Sequence, residues 1–227
     1  PEFGINIQLG YMSIFDRLGD RKGAIEQARG FLREDPGFWK TRLHLADDLL
    51  AEKRFAEAAA EYRTVLEVGP VPSYERGYAL EGLGLSLWRM EKFDEALVFY
   101  NEGLRSTPRS VSLHYNMARL LDDRGEAGSA RVHYEEAVRI APGNVRARMA
   151  LAEHLMKGGL IEAAAFQFQE AARFAPGTAE ALFAQGRIME AAGMKTQAGS
   201  LYENALKAPA VYPDTIDALR KRLEKRP

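Results

Sequence analysis

The stretch that decides the fold is Ala130-Arg131-Val132-His133-Tyr134-Glu135-Glu136-Ala137-Val138-Arg139-Ile140-Ala141-Pro142-Gly143-Asn144. Proline cannot continue a helical hydrogen-bond ladder and glycine tolerates left-handed geometry, so Pro142-Gly143 reads as a helix stop. Asn144 then stands where a following helix needs an N-cap acceptor. Before the stop, the small Ala130 is followed four residues on by the aromatic Tyr134. Antiparallel helices approach closely only where a small side chain faces the partner, and an aromatic one turn away fills the space beside it.

The same signal recurs in both directions. Pro36, Pro70, Pro108, Pro142 and Pro176 are 34, 38, 34 and 34 residues apart. Twelve residues before each lies Ala24, Ala58, Ala96, Ala130 or Ala164, and Ala198 continues the series. Eight before each lies Ala28, Tyr62, Tyr100, Tyr134 or Phe168, with Tyr202 next. Earlier in each unit a large residue precedes a small one, at Leu45-Ala46, Leu83-Gly84, Met117-Ala118 and Leu151-Ala152. Ser110 and Thr178 match Asn144 as N-cap candidates. A self-similar period of this length marks a repeat architecture.

These residues resemble the tetratricopeptide repeat, whose pattern has a large-then-small pair in its first helix, then an alanine, an aromatic and a small residue in its second, and a closing proline. Glu57 to Tyr62 with Pro70, Glu95 to Tyr100 with Pro108, and Ala130 to Tyr134 with Ala137 and Pro142 carry the match. The resemblance implies an all-α fold, a right-handed superhelical solenoid of antiparallel helix pairs. Six units are expected, at 5–38, 39–72, 77–110, 111–144, 145–178 and 179–210. The first and last depart most from the pattern, as solenoid ends do because one face has no neighbour. Ile216, Leu219 and Leu223 repeat at helical spacing, so residues 214–226 read as an amphipathic capping helix. Residues 1–4, beginning Pro1-Glu2-Phe3 without an initiator Met, read as a cloning remnant of a trimmed parent. Between Pro70 and Gly77 four residues are extra, either as a lengthened loop or as an early start of the next helix with Ser73 at its N-cap.

Composition narrows the function classes. The 31 basic and 32 acidic side chains leave a net charge of −1, whereas a nucleic-acid binder usually shows a basic excess. Absence of cysteine excludes disulfides, thiolate zinc sites and thiol catalysis, and is compatible with a cytoplasmic or a periplasmic location. No run approaches the roughly 18 apolar residues of a membrane span. No catalytic, cofactor or metal site is expected: His44, His114, His133 and His154 occupy four different slots of the repeat, and no phosphate loop or nucleophile elbow is present. The paired acids Asp47-Asp48 and Asp122-Asp123 read as solvated helix faces, because sequence neighbours on a helix point about 100° apart.

Function is therefore expected in binding. In the family resembled, first helices line a concave groove where partners bind. Carried across slot by slot, this predicts a partner-binding face of Tyr78, Leu85, Trp88, Tyr115, Asn116, Arg119, Arg146, Met149, Glu153, Phe183 and Arg187. Tyr, Trp and Arg dominate interface energetics; the alternative for Trp88, Tyr115 and Phe183 is packing within or between repeats. Asn116 and Arg146 also match two slots of the clamp with which some relatives hold acidic chaperone tails, but Glu81, Leu85 and Ala150 occupy the other three, so such tails are not expected. The expected role is an interaction scaffold for a protein or peptide, with self-association through an end unit as a further expectation. The alternatives are a pilotin-like envelope assembly factor and the accessory repeat region of a larger enzyme, both by fold analogy.

Overall fold

The structure, a computed structural model, describes residues 20–68 and 70–224. The expected first helix of the first unit, residues 1–4 and residues 225–226 lie outside them. Among the described residues there are twelve α-helices and no strand. They are α1 (Arg21–Glu34), α2 (Trp39–Ala51), α3 (Phe55–Glu67), α4 (Ser73–Arg89), α5 (Phe93–Ser106), α6 (Val111–Asp123), α7 (Ala127–Ile140), α8 (Val145–Lys157), α9 (Ile161–Phe174), α10 (Ala179–Ala191), α11 (Lys195–Ala205) and α12 (Pro213–Glu224). The chain divides into two units, residues 1–116 and 117–227, with the boundary inside α6. No helix is long and apolar enough to cross a membrane among the described residues.

In the first unit, the residues on the 34-residue clock form the core. Ala58, Tyr62, Ala96 and Tyr100 are each 1 % exposed or less, beside Leu45, Leu49, Leu80, Leu83 and Leu87. Burying each leucine contributes about 1.5–3 kcal/mol, and such burial is what holds short helices together in water. Size complementarity sets how closely they pack. A Cβ placed on Gly84 would meet Cε1 of Tyr100 at 2.5 Å, so the helix pair α4–α5 has room for glycine alone at that slot. The four extra residues form an added first turn of α4, which runs for 17 residues against 13 in α2. Pro72, and not Ser73, occupies its N-cap position.

The second unit repeats the plan. Ala130, Ala164, Phe168, Ala198 and Tyr202 are buried, and the ring of Tyr202 rests against Gly186. Asn144 Oδ1 accepts from the Ala147 amide at 2.9 Å and Thr178 Oγ1 from that of Ala181 at 3.3 Å. In the first unit, Ser110 Oγ accepts from Leu113 at 3.3 Å. α12 begins 34 residues after α10, in phase with the first helices, and buries Leu219 completely against Phe183 and Tyr202.

The turn joining the two helices of a pair is a feature the prolines do not mark. Its left-handed residue is Lys53 (φ 62°), Glu91 (φ 62°), Gly125 (φ 78°), Gly159 (φ 76°) and Gly193 (φ 77°) in successive pairs. Glycine adopts this geometry freely, whereas a side chain with a Cβ is strained there.

Candidate peptide-binding face

The first-helix face of the first unit is built by α2, α4 and the start of α6. Asp47 sits half-buried on α2. Tyr62 donates to its Oδ1 at 2.5 Å and Tyr78 to its Oδ2 at 3.1 Å. Glu81, one turn along α4 from Tyr78, accepts from Ser112 at 2.6 Å and from Asn116 at 2.8 Å. Burial pushes both carboxyl groups above their ordinary range, against the opposing pull of these hydrogen bonds. Burial and the adjacent Asp47 likewise push the phenols of Tyr62 and Tyr78 up, so both stay neutral donors.

Of the side chains expected on this face, Tyr78 is 43 % exposed, while Leu85, Tyr115 and Asn116 are half-buried. Trp88 is 6 % exposed and belongs to the packing of α4. Among the described residues the most exposed aromatic is Tyr74, at 76 %. It lies on the added turn of α4, four residues before Tyr78 and therefore on the same helix face. The sequence leaves this segment between loop and helix, so Tyr74 has no assigned face from spacing alone. A helix start at Ser73 would have placed it.

In the second unit most of the corresponding side chains are engaged by neighbouring helices or by the C-terminal segment. Arg146 pairs with Asp214 at 2.5 Å and lies over the Tyr212 ring, 5.5 Å from its centroid. Arg187, 5 % exposed, pairs with Glu153 at 2.5 Å and Glu190 at 2.7 Å, and Glu190 also takes Arg222 of α12 at 2.8 Å. Phe183 is 7 % exposed, its ring tilted against Tyr202, and Met149 packs on the same cluster. Arg119 is half-buried. Glu180, which repeat spacing places in a groove-facing slot, is instead fully buried and accepts the amides of Val211 (3.0 Å) and Tyr212 (2.9 Å) just before α12. Burial raises the Glu180 carboxyl, but these bonds and one from Thr215 outweigh it and hold it below its ordinary range.

The paired acids need correction. They do not form wholly solvated faces, because one member of each pair turns inward to a tyrosine: Asp47 to Tyr62, and Asp122 to Tyr134 at 3.3 Å. Asp122 also pairs with Nδ1 of the buried His154 at 2.7 Å, a contact between residues 32 apart that helical spacing does not reveal. His114 is buried and bonded to the Pro108 carbonyl at 3.2 Å, and His44 is exposed. Among the described residues no three His, Cys, Asp or Glu side chains are grouped to hold a metal ion.

Models of the tetratricopeptide repeat match residues 13–75, 43–111 and 123–188. No curated protein matches. Among solved structures, the chain is similar to PilW, a widely conserved type IV pilus biogenesis factor, at 18 % identity over 95 % of this chain and 97 % of that one, with a TM-score of 0.75. It is similar to PilF of Pseudomonas aeruginosa at 17 % identity over 96 % of each chain, with a TM-score of 0.71. YrrB, described as a repeat protein of this family with an unusual peptide-binding site, shares 21 % identity over 86 % of this chain and 97 % of its own, with a TM-score of 0.54. At these identities the likeness establishes a fold. With the repeat models spanning most of its length and the buried alanine–aromatic clock repeated in both units, the chain belongs to the tetratricopeptide repeat family.

Proposed function

We propose that this protein is an interaction scaffold that captures an extended peptide segment on the first-helix face of residues 1–116. Proteins of this family bind proteins or peptides and are generally not catalysts. One observation carries the assignment to this face: Tyr74 and Tyr78 remain 76 % and 43 % exposed, whereas Arg146, Phe183 and Arg187 are engaged within their own unit by residues up to Leu223. Exposed tyrosines supply large contact area at small conformational cost, and their apolar patch marks an interaction surface. Leu85, two turns along α4 from Tyr78, shares that helix face, and the half-buried Tyr115 and Asn116 stand on α6. The test uses peptides selected from a random library against the full chain. Tyr78→Ala with Tyr115→Ala is expected to weaken their binding at least about tenfold, about 1.4 kcal/mol, with helical circular dichroism retained. Unchanged binding by the double variant would sink the assignment.

A second reading is an envelope assembly factor for a surface fibre. It is favoured by the match to PilW over 95 % of this chain and 97 % of that one. Lipid modification of the natural protein, read by mass spectrometry of an envelope fraction, would support it, and an unlipidated protein confined to the cytoplasmic fraction would rule it out.

A further inference from the structure

We infer that the bound peptide presents a cationic side chain, arginine or lysine, which seats between Asp47 and Glu81 with its stem over Tyr78. The inference rests on the peptide-scaffold reading and names the chemistry of the partner.

The partners of the two carboxylates are the first ground. Asp47 is held by the hydroxyls of Tyr62 and Tyr78, and Glu81 by the Ser112 hydroxyl and the Asn116 amide. All four donors are neutral. Among the described residues neither carboxylate forms an ion pair with a lysine or arginine, and the basic residue nearest Asp47 along α2 is the exposed His44, one turn before it. Two other half-buried acids take an arginine, Glu61 from Arg42 at 2.5 Å and Glu153 from Arg187 at 2.5 Å, while Asp122 takes Tyr134 and the His154 ring. A partly desolvated carboxylate without a counter-charge lowers stability, and a cation from a partner would supply what is missing.

The second ground is preorganisation. Each carboxylate is fixed by two donors from neighbouring helices, so little ordering remains to be done on binding. The third is the aromatic surface beside them. With the Tyr78 hydroxyl directed to Asp47, the exposed remainder of its ring and that of Tyr74 offer cation–π contact and cover for an aliphatic stem. An acidic segment would meet like charge here. A neutral one would cover the carboxylates further without compensating them.

The test is fluorescence anisotropy with the full chain at about 0.15 M salt, where bulk attraction is screened. Three labelled peptides of equal length and apolar content carry two arginines, two citrullines or two glutamates. The arginine peptide is expected to bind at least about tenfold tighter than its citrulline counterpart, with the glutamate peptide weakest. Asp47→Asn with Glu81→Gln is expected to bring the arginine peptide to the citrulline level without lowering Tm. Glu34→Gln with Glu67→Gln removes as much charge from exposed positions and is expected to leave affinity unchanged. Equal binding of arginine and citrulline peptides, no binding of the arginine peptide, or an equal loss in the Glu34/Glu67 control overturns the inference. If the citrulline peptide binds as tightly and loses affinity on Tyr78→Ala with Tyr115→Ala, the scaffold reading stands while the cationic seat falls.

Discussion

Tyr62 is 1 % exposed in the core of α3, yet its hydroxyl reaches Asp47 on the first-helix face at 2.5 Å. One side chain thus serves packing with its ring and orients a binding-face carboxylate with its oxygen. Tyr62→Phe keeps the ring and removes the donor. A hydrogen bond to a charged group is worth about 1.5–3 kcal/mol, and Tyr78 still holds the other oxygen. The expected loss is therefore about 1–2 kcal/mol, read from urea unfolding at pH 7. A variant as stable as the parent would show that the bond contributes nothing.

Glu81 makes a pH-dependent prediction of the opposite sign. Its carboxyl is raised by burial, so the folded protein binds its proton more tightly than the unfolded chain does. Its contribution is most favourable below the ordinary value of 4.5 and is lost as pH rises through the raised folded value. Glu81→Gln removes that loss, and with its oxygen accepting from Asn116 its amide group can donate to the Ser112 hydroxyl oxygen. The variant is expected to gain Tm relative to the parent at pH 7 and to gain less, or nothing, at pH 4. The same difference at both values would refute it.

What was legible in the sequence was short-range size. Ala96 and Tyr100, four apart, and Gly84, sixteen before Tyr100, meet because steric fit is encoded in residue volume at fixed helical spacing. The candidate face was only partly legible, because its state depends on contacts over long separations. Arg146 looks like a groove arginine until Asp214, 68 residues on, is found at 2.5 Å. Asp47 and Asp48 are equivalent on paper, and only the positions of Tyr62 and Tyr78 decide which turns inward.

The helix-pair turns allow a clean test of backbone strain. Glu91 holds φ 62° where Gly125 holds 78° one pair later, and a Cβ on Gly125 would meet nothing within 4 Å. Packing therefore drops out of the comparison. Gly125→Ala is expected to destabilise by about 1–2 kcal/mol and Glu91→Gly to stabilise by up to about 1 kcal/mol. Thermal unfolding of both variants checks this, and a destabilised Glu91→Gly would contradict it.

The Gly84–Tyr100 contact predicts an overpacking penalty. A Cβ at 2.5 Å from the ring forces either the tyrosine off its rotamer or the helices apart, at a cost of about 1–3 kcal/mol. Gly84→Ala is expected to show it in urea unfolding. Gly128→Ala, with nothing within 4 Å of the added carbon, should raise helix propensity instead. Equal effects of the two would mean the contact relaxes without resistance.

Glu180 tests how α12 is held on the second unit. Its carboxylate accepts two amides at the helix start, where negative charge also favours the helix dipole. Because its pKa is lowered, the stability it contributes is present above the ordinary value of 4.5 and is lost as pH falls through the lowered folded value. Glu180→Gln leaves one oxygen acceptor and turns an amide group toward the donors. Destabilisation of about 1–2 kcal/mol is expected at pH 7, shrinking below pH 4. Hydrogen exchange should localise the effect, with amides of residues 211–224 losing protection while those of α2 to α4 keep it. Uniform loss of protection along the chain would mean that Glu180 supports the whole fold and not the seating of α12.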